Sequence, residues 1–227
     1  MRTHKKSISS SKTGTHGFTI VELLIVMLIL LVVAAMAIPG YAAIARYLRI
    51  AGDIRDLNGV VAQAKMRAAE DFTHARVHAN LNANTYSLEV WDKLANSGAG
   101  CWKTDGDNLN QCTASTSPVQ TLSVGVSFGF GSAGAGAPNP QSPIGQAPTC
   151  TSGVAGGTAG STLSNTACIE FNSRGLPVAA SGSPTANDAL YITDSSSVYG
   201  VTVIVSGLIQ IWATDLGSGG TNVWAAR

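Results

Sequence analysis

Gly17-Phe-Thr-Ile-Val-Glu-Leu-Leu-Ile-Val-Met-Leu-Ile-Leu-Leu-Val-Val-Ala-Ala-Met-Ala-Ile38 is the stretch that decides the architecture. As a helix, the 21 residues from Phe18 to Ile38 rise about 31 Å at roughly 1.5 Å per residue, enough to cross the hydrocarbon core of a bilayer. Upstream, Arg2, Lys5, Lys6 and Lys12 fall within the first 17 residues with no acid to balance them. By the positive-inside rule they hold the N-terminus in the cytoplasm and send the remainder across the membrane. A secretory signal peptide fits less well, because the apolar run exceeds about 7–15 residues and continues into further helix without a cleavage site behind it.

One ionisable residue interrupts the run. At membrane depth Glu22 costs about 2.5–3.5 kcal/mol on insertion scales unless it finds a partner. Either it snorkels to the interface or it pairs with a cation, and a nearby one is the α-amine that a cut between Gly17 and Phe18 would create.

Gly17-Phe18-Thr19-Ile20-Val21-Glu22 followed by an apolar helix resembles the class III signal of type IV pilins and type II secretion pseudopilins. The resemblance implies cleavage after Gly17 by a prepilin peptidase and N-methylation of Phe18. It also implies that Glu22 pairs with the terminal amine of a neighbouring subunit during assembly, and it gives Pro39 a place as the helix-kinking proline. Physically, Pro39 lacks an N–H and clashes with the carbonyl of Ala35, so a kink or melted turn is expected there, softened further by Gly40.

Beyond it, Tyr47, Ile50, Ile54, Leu57, Val61, Ala64, Ala68 and Phe72 advance by threes and fours, the spacing of one helical face. Arg49 and Asp53 stand at i, i+4 and read as a pair. The period then changes to two, and strands are predicted at 85–91, 121–128, 168–171, 189–193, 198–205 and 208–213. Ser206-Gly207 has the size of a two-residue hairpin turn. The expected fold is α+β, with a long N-terminal helix, membrane-spanning in its first half, packed on a mainly antiparallel sheet head. Its parts are a cleaved basic leader (1–17), a transmembrane or fibre-core helix (18–38), an amphipathic stem (39–72) and a periplasmic β-rich head (73–227). A Gly/Ser/Pro-rich insertion lies at about 129–167.

Helix, Arg76-Val-His78, Tyr86 to Trp91, a long insertion, Phe171-Asn-Ser-Arg-Gly-Leu-Pro177 and a closing hairpin together resemble the GspH/FimT/FimU group of minor pilins and pseudopilins. That implies a subunit of a type IV pilus or a type II secretion pseudopilus in the bacterial inner membrane, with other pilins as partners and with no enzymatic activity or cofactor. Two alternatives stand beside it: a DNA-capturing FimT-like subunit and a simple membrane-anchored periplasmic protein. Some FimT-like members capture DNA through arginines just after the hairpin glycine, whereas this chain has Gly207-Leu-Ile-Gln210. Its head carries only scattered cations (Arg76, Lys93, Lys103, Arg174, Arg227), so a nucleic-acid partner is not expected.

Composition agrees with an exported chain of unusual surface. Only 12% of residues are charged, about half the usual share, and the 62 residues from Asn108 to Ile169 carry no charge at all. Four cysteines in an exported domain allow three pairings. Neighbours, Cys101–Cys112 and Cys150–Cys168, are favoured, each closing a short loop worth about 3 kcal/mol. No CxxC or histidine accompanies them, which argues against zinc. His74 and His78 could share a helical face but lack a third ligand. Asp105 and Asp107 offer calcium a weak site that fails the EF-hand pattern and reads as an Asp/Gly turn. Nucleophile, P-loop and metalloprotease motifs are absent. The Gly/Ala/Ser/Pro-rich 131–160 reads as a flexible surface loop.

Overall fold

A computed structural model describes residues 17–106, 112, 119–133, 136–137, 143–157, 160–184, 187–216 and 223–227. The chain divides into two units, one ending at Ile44 and the other covering Ala45–Arg227. Helix α1, Ile20–Glu70, contributes to both.

In the first unit Thr19 opens the helix: its Oγ1 accepts the Glu22 N–H at 3.2 Å, the bond of an N-cap residue. Thr19-Ile-Val-Glu22 also has capping-box spacing, and Glu22 lies in the first turn, where the helix dipole favours an acid. Every residue of Ile20–Ile38 is exposed within the protein, and this segment is long and apolar enough to cross a membrane. The turn at Pro39 is not melted as expected, since α1 continues through it. Pro39 forfeits the bond to the Ala35 carbonyl, and the helical runs on either side hold the turn.

In the second unit α1 is followed by β1 (Ala75–Asn80), β2 (Thr85–Asp92), β3 (Cys101–Thr104), β4 (Gln120–Thr121) and β5 (Ser127–Phe128). After them come β6 (Thr166–Phe171), β7 (Asp188–Thr193), β8 (Ser197–Val203), β9 (Ile209–Asp215) and β10 (Ala225–Ala226). They form two antiparallel sheets, ordered β3-β2-β1-β6 with β4 also on β2, and β10-β9-β8-β7-β5. Ile50, Ile54, Leu57, Val61, Ala64 and Ala68 bury the predicted stripe of α1. They share one core with Val77, Leu88, Ile169 and Phe171 of the first sheet and Leu190, Ile192, Val201 and Val203 of the second.

Both ends of the stripe depart from expectation: Tyr47 is 56% exposed and Phe72 76%. Phe72 lies past the helix end in the left-handed region, φ +48°. Thr73 N–H closes back on the Ala68 carbonyl at 3.1 Å, a Schellman-type ending that turns the chain away from the stripe.

Arg49 and Asp53 do not pair with each other. The Asp53 carboxylate accepts from Ser123 N–H (2.9 Å) and Ser123 Oγ–H (2.8 Å), and Arg49 Nη1 donates to the Val124 carbonyl at 3.2 Å. The turn they hold, closed by Val126 N–H to Ser123 O at 2.9 Å, breaks the strand expected over 121–128. Its two remnants, β4 and β5, lie in different sheets. The β8–β9 hairpin is one residue longer than a two-residue turn: Gly207 N–H bonds Ile204 O and Ile204 N–H bonds Leu208 O. Gly207 takes φ +76° at the left-handed position that such three-residue loops require.

Part of the insertion is packed against the second sheet. Phe130, Ala137 and Ile144 bury against Ala189, Tyr191, Val198 and Trp224, the face of the second sheet turned away from α1. The Tyr191 hydroxyl donates to Ile144 O at 2.7 Å and accepts Ala137 N–H at 2.9 Å, fixing a segment read in the sequence as a free loop.

Candidate functional site

Two places carry the residues singled out above. At the N-terminus Gly17, Phe18 and Glu22 are all exposed, with Phe18 at 81%. Thr19, whose cap bond sets the geometry of Glu22, was legible as Thr-x-x-Glu and was not singled out. Residues 1–16 of the leader lie outside the described residues.

The second place is the face of the first sheet turned away from α1. Alternation along β1 sends Ala75, Val77 and Ala79 into the core and Arg76 and His78 to the other side. Register puts Arg76 directly between Glu89 of β2 and Glu170 of β6. Arg76 Nε donates to Glu89 Oε2 at 2.6 Å, Nη1 donates to the Thr151 carbonyl at 2.6 Å, and the guanidinium lies 4.0 Å over the Trp102 ring. Arg76 is only 2% exposed and Glu89 4%.

The two histidines join this row instead of a helix face. His78 Nδ1 is 2.8 Å from Glu89 Oε1, and His74 Nδ1 is 2.8 Å from Glu170 Oε1. Because an ionised carboxylate only accepts, each Nδ1 carries the hydrogen. Burial works to raise Glu89, but the bond from His78 and the charge of Arg76 outweigh it and hold the carboxyl below its ordinary value. Among the described residues no three His, Cys, Asp or Glu gather to hold a metal. Asp105 meets Arg67 in a two-pronged contact, 3.0 and 2.9 Å, and Asp107 lies outside the described residues.

Residues 148–157 of the insertion cover this charged row. Besides Arg76, Trp102 Nε1 donates to Gly153 O at 2.8 Å, and Glu170 Oε1 accepts Ala155 N–H at 2.9 Å. A cavity of about 310 Å³ remains between them, bounded by Arg76, Glu170, Val154, Val178 and Ala180. Cys150 is bonded to Cys168, with Cα atoms 5.0 Å apart, and Cys101 to Cys112 at 5.4 Å. Both are the neighbour pairings expected.

Other cations of the head are engaged as well. Lys103 pairs with Asp92, holding that carboxyl below its ordinary value, and Lys93 donates to Phe72 O at 2.6 Å. Lys65 donates to Gly207 O at 2.8 Å. The Phe171-Asn-Ser-Arg-Gly-Leu-Pro177 phrase forms a tight turn, in which Asn172 Oδ1 accepts the N–H groups of Arg174 and Leu176. Gly175, at φ +70°, lets it close onto Lys65, where a Cβ would come within 3.1 Å of that side chain. Arg174 itself is exposed. Burial pushes Asp188, at the start of β7, up to about 6.

None of the curated proteins matches the chain. The solved structure of the minor pseudopilin EpsH from the Type 2 Secretion System of Vibrio cholerae aligns over 76% of this chain and 99% of its own, at 12% identity and a TM-score of 0.41. Residues 12–38 match the prokaryotic N-terminal methylation motif, so the chain carries that motif across the Gly17–Phe18 junction and into the apolar helix.

Proposed function

We propose that this protein is a minor pilin or pseudopilin, cut after Gly17 by a prepilin peptidase, N-methylated on Phe18 and held in the inner membrane by residues 18–38. From there it assembles into a type IV pilus or a type II secretion pseudopilus. The observation that carries the reading is the methylation motif over residues 12–38 running into a helix whose apolar side chains are all uncovered. Within one chain such side chains have no partner, and a bilayer before assembly and neighbouring helices after it would supply one. Glu22 then sets register against the Phe18 amine of the next subunit.

The test is intact mass with N-terminal sequencing of protein from membranes of a host that has a prepilin peptidase. A chain starting at N-methylated Phe18 is expected, and an unprocessed Met1 terminus would sink the proposal. Glu22→Ala should then be exported and cleaved yet fail to enter fibres.

A further inference from the structure

At the start of the second unit the sequence of α1 changes character. After Glu22 no charged residue occurs until Arg46, so the 23 residues Leu23–Ala45 form one uncharged run. Arg46, Tyr47, Leu48 and Arg49 follow, all exposed, with Tyr47 at 56% and Leu48 at 61%. Tyrosine and arginine at the end of an apolar run have the composition of a membrane–water boundary, where ring and stem lie in the apolar edge and the polar tips reach water and headgroups.

A turn from far along the chain joins this part of the second unit. Ser123-Val-Gly-Val126 closes through Val126 N–H to Ser123 O at 2.9 Å, with Gly125 at φ +86°. Leu122 and Val126, each 6% exposed, root it in the core, and the Asp53 carboxylate clamps it to α1 through Ser123. Turn tips ordinarily carry Gly, Pro, Asn, Asp or Ser. This one presents Val124, 87% exposed, and the Val124 carbonyl accepts a hydrogen bond from Arg49. An apolar tip is thereby held beside a cation. Asp53, the acid nearest these arginines along α1, is only 8% exposed and is taken up by Ser123, so the exposed charge over residues 46–49 is positive.

We propose that this part of the head is a lipid-facing surface: Val124 enters the interfacial layer of the membrane while Arg46 and Arg49 meet the phosphates of anionic lipids. The inference rests on the membrane reading above and deepens it. Continuity of the chain favours lipid as the occupant. Arg49 stands four residues past the uncharged run, a helical rise of about 6 Å, comparable to the headgroup layer of about 5–8 Å that flanks the hydrocarbon core. Charge complementarity selects acidic headgroups.

Full-length protein carrying Val124→Cys, with both native disulfides left oxidised, is labelled with bimane and placed in nanodiscs of phosphatidylcholine with or without phosphatidylglycerol. Leu208→Cys, on the hairpin that Lys65 holds further along α1, is the control, since Leu208 is also exposed. A nitroxide on the lipid headgroup is expected to quench position 124 strongly and position 208 weakly. Phosphatidylglycerol should raise the ratio of quenched to unquenched label at 124, and Arg46→Gln should lower it about fivefold, the worth of one cation at an anionic surface. Equal quenching at 124 and 208, or no response to phosphatidylglycerol or to Arg46→Gln, would overturn this inference and leave the membrane anchor standing. Protein that fails to enter nanodiscs at all would overturn both. If the cysteine variants do not accumulate, hydrogen exchange of the unsubstituted chain decides: the Val124 and Gly125 amides should slow when phosphatidylglycerol is present, and unchanged exchange would overturn the proposal.

Discussion

Residues 20–38 of α1 and the outward row of β1 break the usual partition of side chains in opposite senses. The first is apolar but for Glu22 and exposed along its length, and the second centres on Arg76 and Glu89, which are charged and almost fully buried. Each inversion needs a partner, and the two find it in different places. Arg76 and His78 share the Glu89 carboxylate and His74 bonds Glu170, all within their own chain, although His78 Nε2 stays buried without a hydrogen-bond partner. Among the described residues the side chains of Ile20–Ile38 are exposed, and a membrane and a fibre are the partners proposed for them.

The contrast can be broken experimentally. Arg76→Ala should have the largest effect, about 3–5 kcal/mol of head stability, because it strands the buried Glu89 carboxylate; urea unfolding reads it, and Arg76→Met should recover part of the loss. Next comes a matched pair of truncations. Leu57→Ala, in the covered part of α1, should cost about 2–5 kcal/mol, whereas Leu28→Ala should leave the head's unfolding midpoint where it was. Equal losses would overturn the assignment of Leu28 to a part of α1 that adds nothing to the head's own stability. Lys65→Met should cost about 1.5–3 kcal/mol, the worth of a hydrogen bond from a charged group, with protection lost first around Gly207.

The smallest effect sharpens what burial does to a carboxylate given no cation. Folded Asp188 holds its proton up to about pH 6, while the unfolded chain releases it near 3.8. Its contribution is complete below 3.8 and is lost as pH rises toward about 6. Asp188→Asn should flatten that slope, which amounts to about 1–2 kcal/mol after solvent screening.

Local patterns were readable in the sequence because they need no distant partner. Threes and fours placed the buried stripe of α1, alternation placed most of the long strands, and loop length paired the cysteines. Thr19-x-x-Glu22 is equally local, but an acid inside an apolar run points to the membrane before it points to a helix cap. What the sequence hid depends on register. Arg76 looked like one of several scattered cations until β1–β2 pairing set it opposite Glu89. Likewise Arg49 and Asp53 have the spacing of a pair, yet both are drawn to Ser123 and Val124, far along the chain. Low complexity misled in the insertion, where Tyr191 and the sheet faces supply the anchors that the insertion's own composition lacks.

The side chain of Lys65 runs where two turns meet, its ammonium bonded to Gly207 O and its stem lying where a side chain at Gly175 would reach. Neither hairpin can therefore drift alone in evolution. A side chain gained at Gly175 meets the stem of Lys65 and one gained at Gly207 meets its ammonium, so changes in the two turns should be inherited together, with Lys65 as the arbiter. For anyone splicing an affinity tag or a fluorophore into the head, these are the two bends to leave untouched.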